Sequence, residues 1–214
     1  MSTDLDSLIK GFSEYKRDTV NFEDKKHKGL LELGQDPSIL MIACCDSRVD
    51  PAIITNCDAG DMLVVRNIAN LVPPYIEDEK HSSLQAAIEF SICYSQVKDI
   101  VVMGHSRCAG IRTLLNRVID DLIPSHPLEQ WTQVAEPAAR AAVEEIPLAS
   151  IDEQTCLCSR KAVGISLDNL KEYPWVKHAI EKEALNVHGW YFNLAKAELE
   201  AFDQDTGLYS LISD

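Results

Sequence analysis

The sequence predicts an α/β fold: a mainly parallel four-stranded sheet with helices on both faces, an antiparallel C-terminal edge strand and an N-terminal helical arm. Three observations carry this. Two short continuous apolar runs, Ile39–Ala43 and Ile100–Met103, have the length and composition of strands covered on both faces. Segments of helical periodicity separate the apolar runs, as parallel pairing requires. Near the C-terminus, short segments flank Asp205-Thr206-Gly207, a turn signal that brings antiparallel strands together.

Taken in order, Leu5, Leu8, Ile9, Phe12 and Tyr15 recur at helical spacing, with Thr3 or Asp4 as N-cap. The apolar stripe must be covered, by the chain's own core or by a partner subunit; spacing leaves both open. A second helix is expected from Glu23 to Leu33, ending at Gly34. The first strand is Ile39–Ala43 and the second Met62–Arg66. Asn70–Tyr75 contains Pro73 and Pro74 and must be extended or looped. Ser82 with Gln85 forms a capping-box pattern, opening a helix to about Val97 with the stripe Leu84, Ala87, Ile88, Ser91 and Ile92. The strand Ile100–Met103 leads into a helix holding Ile111, Leu114, Leu115 and Val118. Ser125–Pro127 breaks the chain. Helices are then expected around residues 138–143 and from Asp152 to Tyr173, stopped by Pro174. Leu185–Phe192 is the next strand, followed by short strands over Glu198–Phe202 and Leu208–Ile212. No repeat, low-complexity stretch or internal boundary interrupts the chain, so one domain over 1–214, with an arm over 1–34, is expected.

A chain of 214 residues is long enough for one full hydrophobic core. Its 20 basic residues stand against 34 acidic ones, a formal charge of −14. That balance argues against nucleic acid, whose binding depends on neutralising phosphates, and against an anionic membrane surface. A small-molecule substrate remains compatible with it. No apolar run approaches the ~20 residues of a membrane-spanning helix, and Met1–Asp6 has no signal-peptide character. Seven cysteines, an odd number, are expected as reduced thiols in the cytoplasm.

The chemistry concentrates in two runs, Cys44-Cys45-Asp46-Ser47-Arg48 and His105-Ser106-Arg107-Cys108. Each follows a buried strand and so lies at the carboxyl edge of a parallel sheet, where ligand crevices form. His105-x-x-Cys108 puts two metal ligands one helical turn apart. Cys44-x-Asp46 puts a thiol and a carboxylate on one side of an extended segment. Together they make a Cys₂His set suited to zinc, with Asp46 as fourth ligand or as neighbour to a bound water. An isolated H-x-x-C is commonplace, and one Cys at a strand end is ordinarily a small buried hydrophobe; two polar half-sites at matching strand ends are not so easily set aside. Cys44-Cys45 lacks the C-x-x-C spacing of a redox couple. Cys108 to Arg112 leaves three intervening residues, too few for a phosphatase-type phosphate cradle.

C-x-D-S-R followed by H-x-x-C, each after an apolar strand, resembles the β-class carbonic anhydrases, in particular their plant-like branch. The likeness extends through Val64–Pro74, Ala86–Phe90, Val102–His105, Ser166–Leu170 and His188-Gly189-Trp190. It implies that Cys44, His105 and Cys108 hold Zn²⁺, and that Asp46 and Arg48 form a catalytic dyad in which Arg48 keeps Asp46 off the metal. In a closed state Asp46 would itself be the fourth ligand. The reaction implied is reversible hydration of CO2 to bicarbonate and a proton, by hydroxide attack at zinc. Two thiolates cancel the zinc charge, so the site acidifies water less readily than three neutral histidines would, and Asp46 is the compensating hydrogen-bond partner.

The resemblance also implies a homo-oligomer, a dimer or a dimer of dimers, with the active site at the subunit boundary. It places Gln35, Leu63 and Phe90 in the substrate pocket. Ala109 replaces the first glycine of the usual H-x-x-C-G-G, an exchange that an ordinary helical φ tolerates. Some members carry an inhibitory bicarbonate pocket of Trp, Arg and Tyr; the matching residues here are Met41, Arg66 and Phe192, so no such pocket is expected. Two other readings share the fold: a hydrolase for carbonyl sulfide or carbon disulfide, and a catalytically silent zinc-binding homologue. The presence of both Asp46 and Arg48 argues against silence.

Overall fold

The computed structural model describes residues 4–18, 25–32, 34–79 and 81–212. Contacts divide the chain into two units, Met1–Asp36 and Pro37–Asp214. In the first, helix α1 spans Leu5–Asp18 and α2 spans Lys25–Glu32. Asp4 caps α1, its Oδ1 accepting from the Ser7 backbone N–H at 2.8 Å, which satisfies one of the donors a helix start leaves free. Asp6 in the first turn and Lys16 and Arg17 in the last match the helix dipole. No residue of α1 is buried; Phe12 at the middle of the apolar stripe is 65% exposed. Thr3, the other candidate cap, and Glu23 and Leu33, the expected ends of α2, lie outside the described residues.

The second unit runs β1 (Ile39–Cys44), α3 (Pro51–Thr55), β2 (Met62–Asn67), α4 (Ser83–Glu89), β3 (Asp99–His105), α5 (Ala109–Ile119), α6 (Pro127–Thr132), α7 (Glu136–Glu145), α8 (Ile151–Lys171), α9 (Pro174–Glu181), β4 (Asn186–Asn193), β5 (Glu198–Phe202) and β6 (Tyr209–Leu211). The strands form one sheet in the order β2-β1-β3-β4-β5-β6. The first four are mutually parallel and the last two antiparallel, so the C-terminal edge holds the two short strands expected around Asp205-Thr206-Gly207. Among the described residues no helix is long and apolar enough to cross a membrane.

Alternation along the central strands sorts side chains to the two faces. Leu40, Ile42, Ile100 and Val102 pack with Leu84 and Ile88 of α4, Val163, Leu167 and Leu170 of α8, and Val176 of α9. Met41, Ala43, Val101 and Met103 face the other way, toward Ile54 of α3, Trp190, Phe192 and Leu199. A third cluster, built mainly by α5, α7 and α8, takes in Cys44 and Cys108. The chain turns one way from β1 to reach β2 and passes to the opposite side of β1 to form β3. Loops leaving β1 and β3 therefore diverge, and the crevice between them is the switch point of the sheet.

Helix α8 closes on the sheet at Gly189, where an added Cβ would stand 2.9 Å from both Leu167 Cδ1 and Val163 Cγ1. The same helix ties down the proline-bearing segment: Ser166 Oγ accepts from the Val72 N–H at 3.2 Å and Asn169 Nδ2 donates to the Val72 carbonyl at 2.8 Å. This explains why Ser166–Leu170, His188–Trp190 and the Val72 region belong to one pattern.

Two local expectations are corrected, and two short helices were not anticipated. Only half of the Ser82 capping box forms: Ser82 Oγ accepts from Gln85 N, but the Gln85 amide bonds Ile76 N and O instead. The helix after it continues beyond Glu89 as a wide turn over Phe90–Tyr94 and stops there, short of Val97. Pro174 ends α8 yet also opens α9 as its first residue, since a proline lacks only a donor that a helix start leaves unused. Helix α3 is too short for periodicity to reveal; Asp50 caps it and Pro51 begins it.

Candidate active site

The β1 and β3 carboxyl ends deliver the two chemical runs to one crevice. Cys44 is the last residue of β1. His105 is the last residue of β3, and Cys108 is the N-cap of α5. The ligand atoms of Cys44, His105 and Cys108 all lie within 4.8 Å of one another, and all three residues are buried. The sulfurs of Cys44 and Cys108 are 3.9 Å apart.

The imidazole is oriented from behind. A carbonyl can only accept, so the 2.9 Å contact between His105 Nδ1 and the Ser106 carbonyl fixes the proton on Nδ1 and leaves a lone pair on Nε2. That Nε2 is buried and has no hydrogen-bond partner among the described residues. An orphaned buried acceptor aimed at two thiols is what a metal ligand looks like before its ion is considered. Ser106 is itself anchored, its N–H donating to the Phe192 carbonyl and its Oγ accepting from Leu194 N.

The hydrogen bond between the two sulfurs lowers the Cys44 thiol below its ordinary range. The same bond, reinforced by burial, pushes Cys108 up: the pair shares a proton. A cation that takes thiolates removes it, because soft-metal binding and thiol deprotonation are linked. The Ala69 N–H also points at Cys44 Sγ, at 3.4 Å, from a residue at φ 64, a left-handed conformation that alanine adopts only at a cost. Gly110 makes room for that turn; a Cβ there would stand 2.5 Å from Ile68 Cγ2.

Asp46 stands outside the three-residue group because Arg48 holds both its oxygens. Arg48 Nε and N–H donate to Oδ1 at 2.9 and 3.0 Å, and Nη2 donates to Oδ2 at 2.6 Å. These bonds hold the Asp46 carboxyl below the usual carboxylate range, so it is ionised throughout neutral pH. Arg48 Nη2 also reaches the Arg107 carbonyl at 3.2 Å, linking the two runs. Arg107 adopts φ 57 at that link.

The structure brings together Cys44, His105 and Cys108, with Asp46 and Arg48 beside them. It does not bring Leu63 to them within one protomer. Leu63 pairs with Leu40, four residues back from Cys44 and so about 13 Å away at strand rise, and packs against the core. Phe90 is half exposed and stacks on Tyr94 at 5.8 Å. Gln35 is exposed in the N-terminal unit. Sequence reasoning missed the backbone groups that hold the site, namely Ser106 O, Arg107 O and Ala69 N–H, which carry no side-chain signature. It also took Arg66 only as a remnant of a regulatory pocket, whereas its three nitrogens are all engaged at the Cys44–Asp50 loop. The signal was its position in Val64-Val65-Arg66-Asn67, at the end of the strand beside β1.

A family model described as carbonic anhydrase matches residues 39–199. β-Carbonic anhydrase 3 of Arabidopsis thaliana is 34% identical over 203 residues, covering 94% of this chain and 78% of that protein. Among solved structures, the β-carbonic anhydrase CcaA superposes with a TM-score of 0.86 at 27% identity, covering 98% of this chain and all of the other. CafA of Aspergillus fumigatus gives 0.77 at 27% identity, covering 93% and 90%. A tetrameric β-carbonic anhydrase of Sordaria macrospora gives 0.74 at 25% identity, covering 96% and 94%.

Proposed function

The chain belongs to the β-class carbonic anhydrases, a zinc lyase family that hydrates CO2 reversibly to bicarbonate, and from that premise we propose how its own residues divide the work. Cys44, His105 and Cys108 would hold the zinc ion; the single observation that carries this is the orphaned Nε2 of His105 grouped with two sulfurs 3.9 Å apart. When bound, zinc supplies a Lewis acid that makes water a nucleophile at neutral pH. Asp46, ionised beside the ligand group, would accept a hydrogen bond from a water held there and orient it toward CO2. Arg48 gives Asp46 a fixed place by occupying both carboxylate oxygens, so the carboxylate orients the water instead of replacing it.

Gln35, Leu63 and Phe90 line the substrate pocket, with Leu63 and Phe90 reaching it across a subunit boundary; the place of Leu63 opposite Leu40, away from the ligand end of the sheet, supports that reading. The assembly is a homodimer or a dimer of dimers, in line with the tetrameric relative and with the uncovered stripe of α1. The chain is one domain over 1–214 with a helical arm over 1–34, and it works in the cytoplasm, where its seven free thiols stay reduced. It has no inhibitory bicarbonate pocket: Met41 and Phe192 stand where such a pocket has its Trp and Tyr, and each nitrogen of Arg66 is engaged at the loop.

Stopped-flow hydration of CO2 by the zinc-loaded protein, with carbonyl sulfide measured beside it, tests the activity. Rapid hydration that is lost on chelation and regained with zinc, together with slow turnover of carbonyl sulfide, is expected. A zinc-loaded protein that leaves CO2 untouched, or that prefers carbonyl sulfide, would overturn it.

A further inference from the structure

Arg66 lies on β2, paired in register with Ala43, the residue before Cys44. Its Nε donates to the Cys44 carbonyl at 3.0 Å. Its Nη2 donates to the Asp46 carbonyl at 2.7 Å. Its Nη1 donates to Asp50 Oδ2 at 2.7 Å, while Asp50 Oδ1 accepts from Ala52 N at the start of α3. One planar fork therefore grips the backbone on both sides of Cys45 and is itself steadied by the cap of the next helix. The side chain is 26% exposed, so these are partly sheltered bonds and not a solvated surface pair.

We propose that Arg66 is a positioning residue for CO2 hydration: by clasping the carbonyls of Cys44 and Asp46 it fixes the turn on which the first metal ligand and the dyad carboxylate are both mounted. The inference rests on the dyad reading above. The Arg48–Asp46 pair sets the carboxylate against Arg48, and Arg48 Nη2 ties it to the Arg107 carbonyl of the other run, but neither bond sets the pair against Cys44. Backbone bonds hold each side of the turn separately, Cys45 N–H to the Asn67 carbonyl and Val49 N–H to the Asp46 carbonyl; Arg66 joins the two sides through one rigid group. Three acceptors in three directions suit a rigid guanidinium; an ammonium on a flexible stem satisfies them one at a time. Loss of the clasp lets the Asp46–Arg48 pair drift as a unit relative to the thiolate. Because Arg66 donates to no group on CO2, the cost falls on kcat and not on KM.

The test compares zinc-loaded wild type, Arg66→Ala, Arg66→Lys and Asp46→Asn by stopped-flow hydration. Zinc affinity is measured by chelator competition, and each protein is assayed with and without methylguanidine. Outer-sphere supports of metal sites are worth about 10–100-fold; Arg66→Ala is expected to lose kcat in that range, with KM within about threefold and zinc affinity lowered up to about tenfold. Methylguanidine should raise the kcat of Arg66→Ala several-fold and leave wild type unchanged. Arg66→Lys, which keeps the charge, should stay as impaired as Arg66→Ala, an outcome that a merely electrostatic or stabilising role would not give. Wild-type kcat in Arg66→Lys overturns the proposal, and that variant decides alone if Arg66→Ala does not fold. Asp46→Asn separates the two levels: full activity there defeats the dyad reading itself, whereas an inactive Asp46→Asn beside active Arg66 variants defeats only the clasp.

Discussion

Cys44 and Cys108 come within 3.9 Å although 64 residues separate them, and the cost of holding two buried thiols together is met by the shared proton and, on metal binding, by the ion. Thiol chemistry should follow this arrangement. Treated with iodoacetamide in the native state, the exposed Cys45 and Cys93 should label first. Cys158, buried and pushed up to about 12, should not label. Added zinc should protect Cys44 and Cys108; equal labelling of the pair with and without zinc, read by mass spectrometry, would count against the ligand assignment. The Asp46 carboxyl carries a pH signature. Its hydrogen bonds from Arg48 put it below its ordinary 3.8, so the pair's stabilisation is complete above that value and is lost as pH falls through and below it. The gap in urea midpoint between wild type and Arg48→Ala should therefore be open at neutral pH and close on acidification; a gap independent of pH would contradict the pairing. At this scale Cys44, His105, Cys108, Asp46 and Arg48 were legible because their chemistry resides in side chains at set spacing. Ser106 O and Ala69 N–H were not, because any residue has those groups and only the fold aims them.

Strands β1 and β3 were legible as elements because burial on both faces makes them continuous apolar runs, and α5 and α8 because one face must stay apolar. Helix α3 escaped because five residues are too few to show a period. Helix α9 escaped because Pro174 serves as both a stop and a start. The half-formed box at Ser82 shows a pattern overridden by tertiary need, since the Gln85 amide is spent on the two backbone groups of Ile76. The junction of α5 with the Ile68–Ala69 turn is where an element bears on the metal. Gly110→Ala would set a Cβ 2.5 Å from Ile68 Cγ2. Overpacking of this kind costs about 1–3 kcal/mol, and the displaced turn carries the N–H that meets Cys44 Sγ. Denaturant unfolding should show a loss in that range together with weaker zinc binding by chelator competition. Unchanged stability and affinity would mean that the turn has slack the structure does not show.

Across the whole molecule, the sheet's switch point explains why the two runs meet, and the likeness to solved β-carbonic anhydrases extends well beyond them. The stripe of Leu5, Leu8, Ile9 and Phe12 on α1 is exposed, and the proposed assembly would cover it with a second copy. Phe12→Glu, which puts a charge in the middle of that stripe, should shift sedimentation velocity toward a smaller species without unfolding the chain; an unchanged assembly would assign the stripe another role. The division of labour between ligands and dyad faces its most direct test in one measurement, stopped-flow CO2 hydration by Asp46→Asn alongside wild type, each with its zinc content determined. The expected result is one zinc per chain in both proteins and loss of most hydration in the variant. Full hydration by an Asp46→Asn protein that retains its zinc would contradict the account.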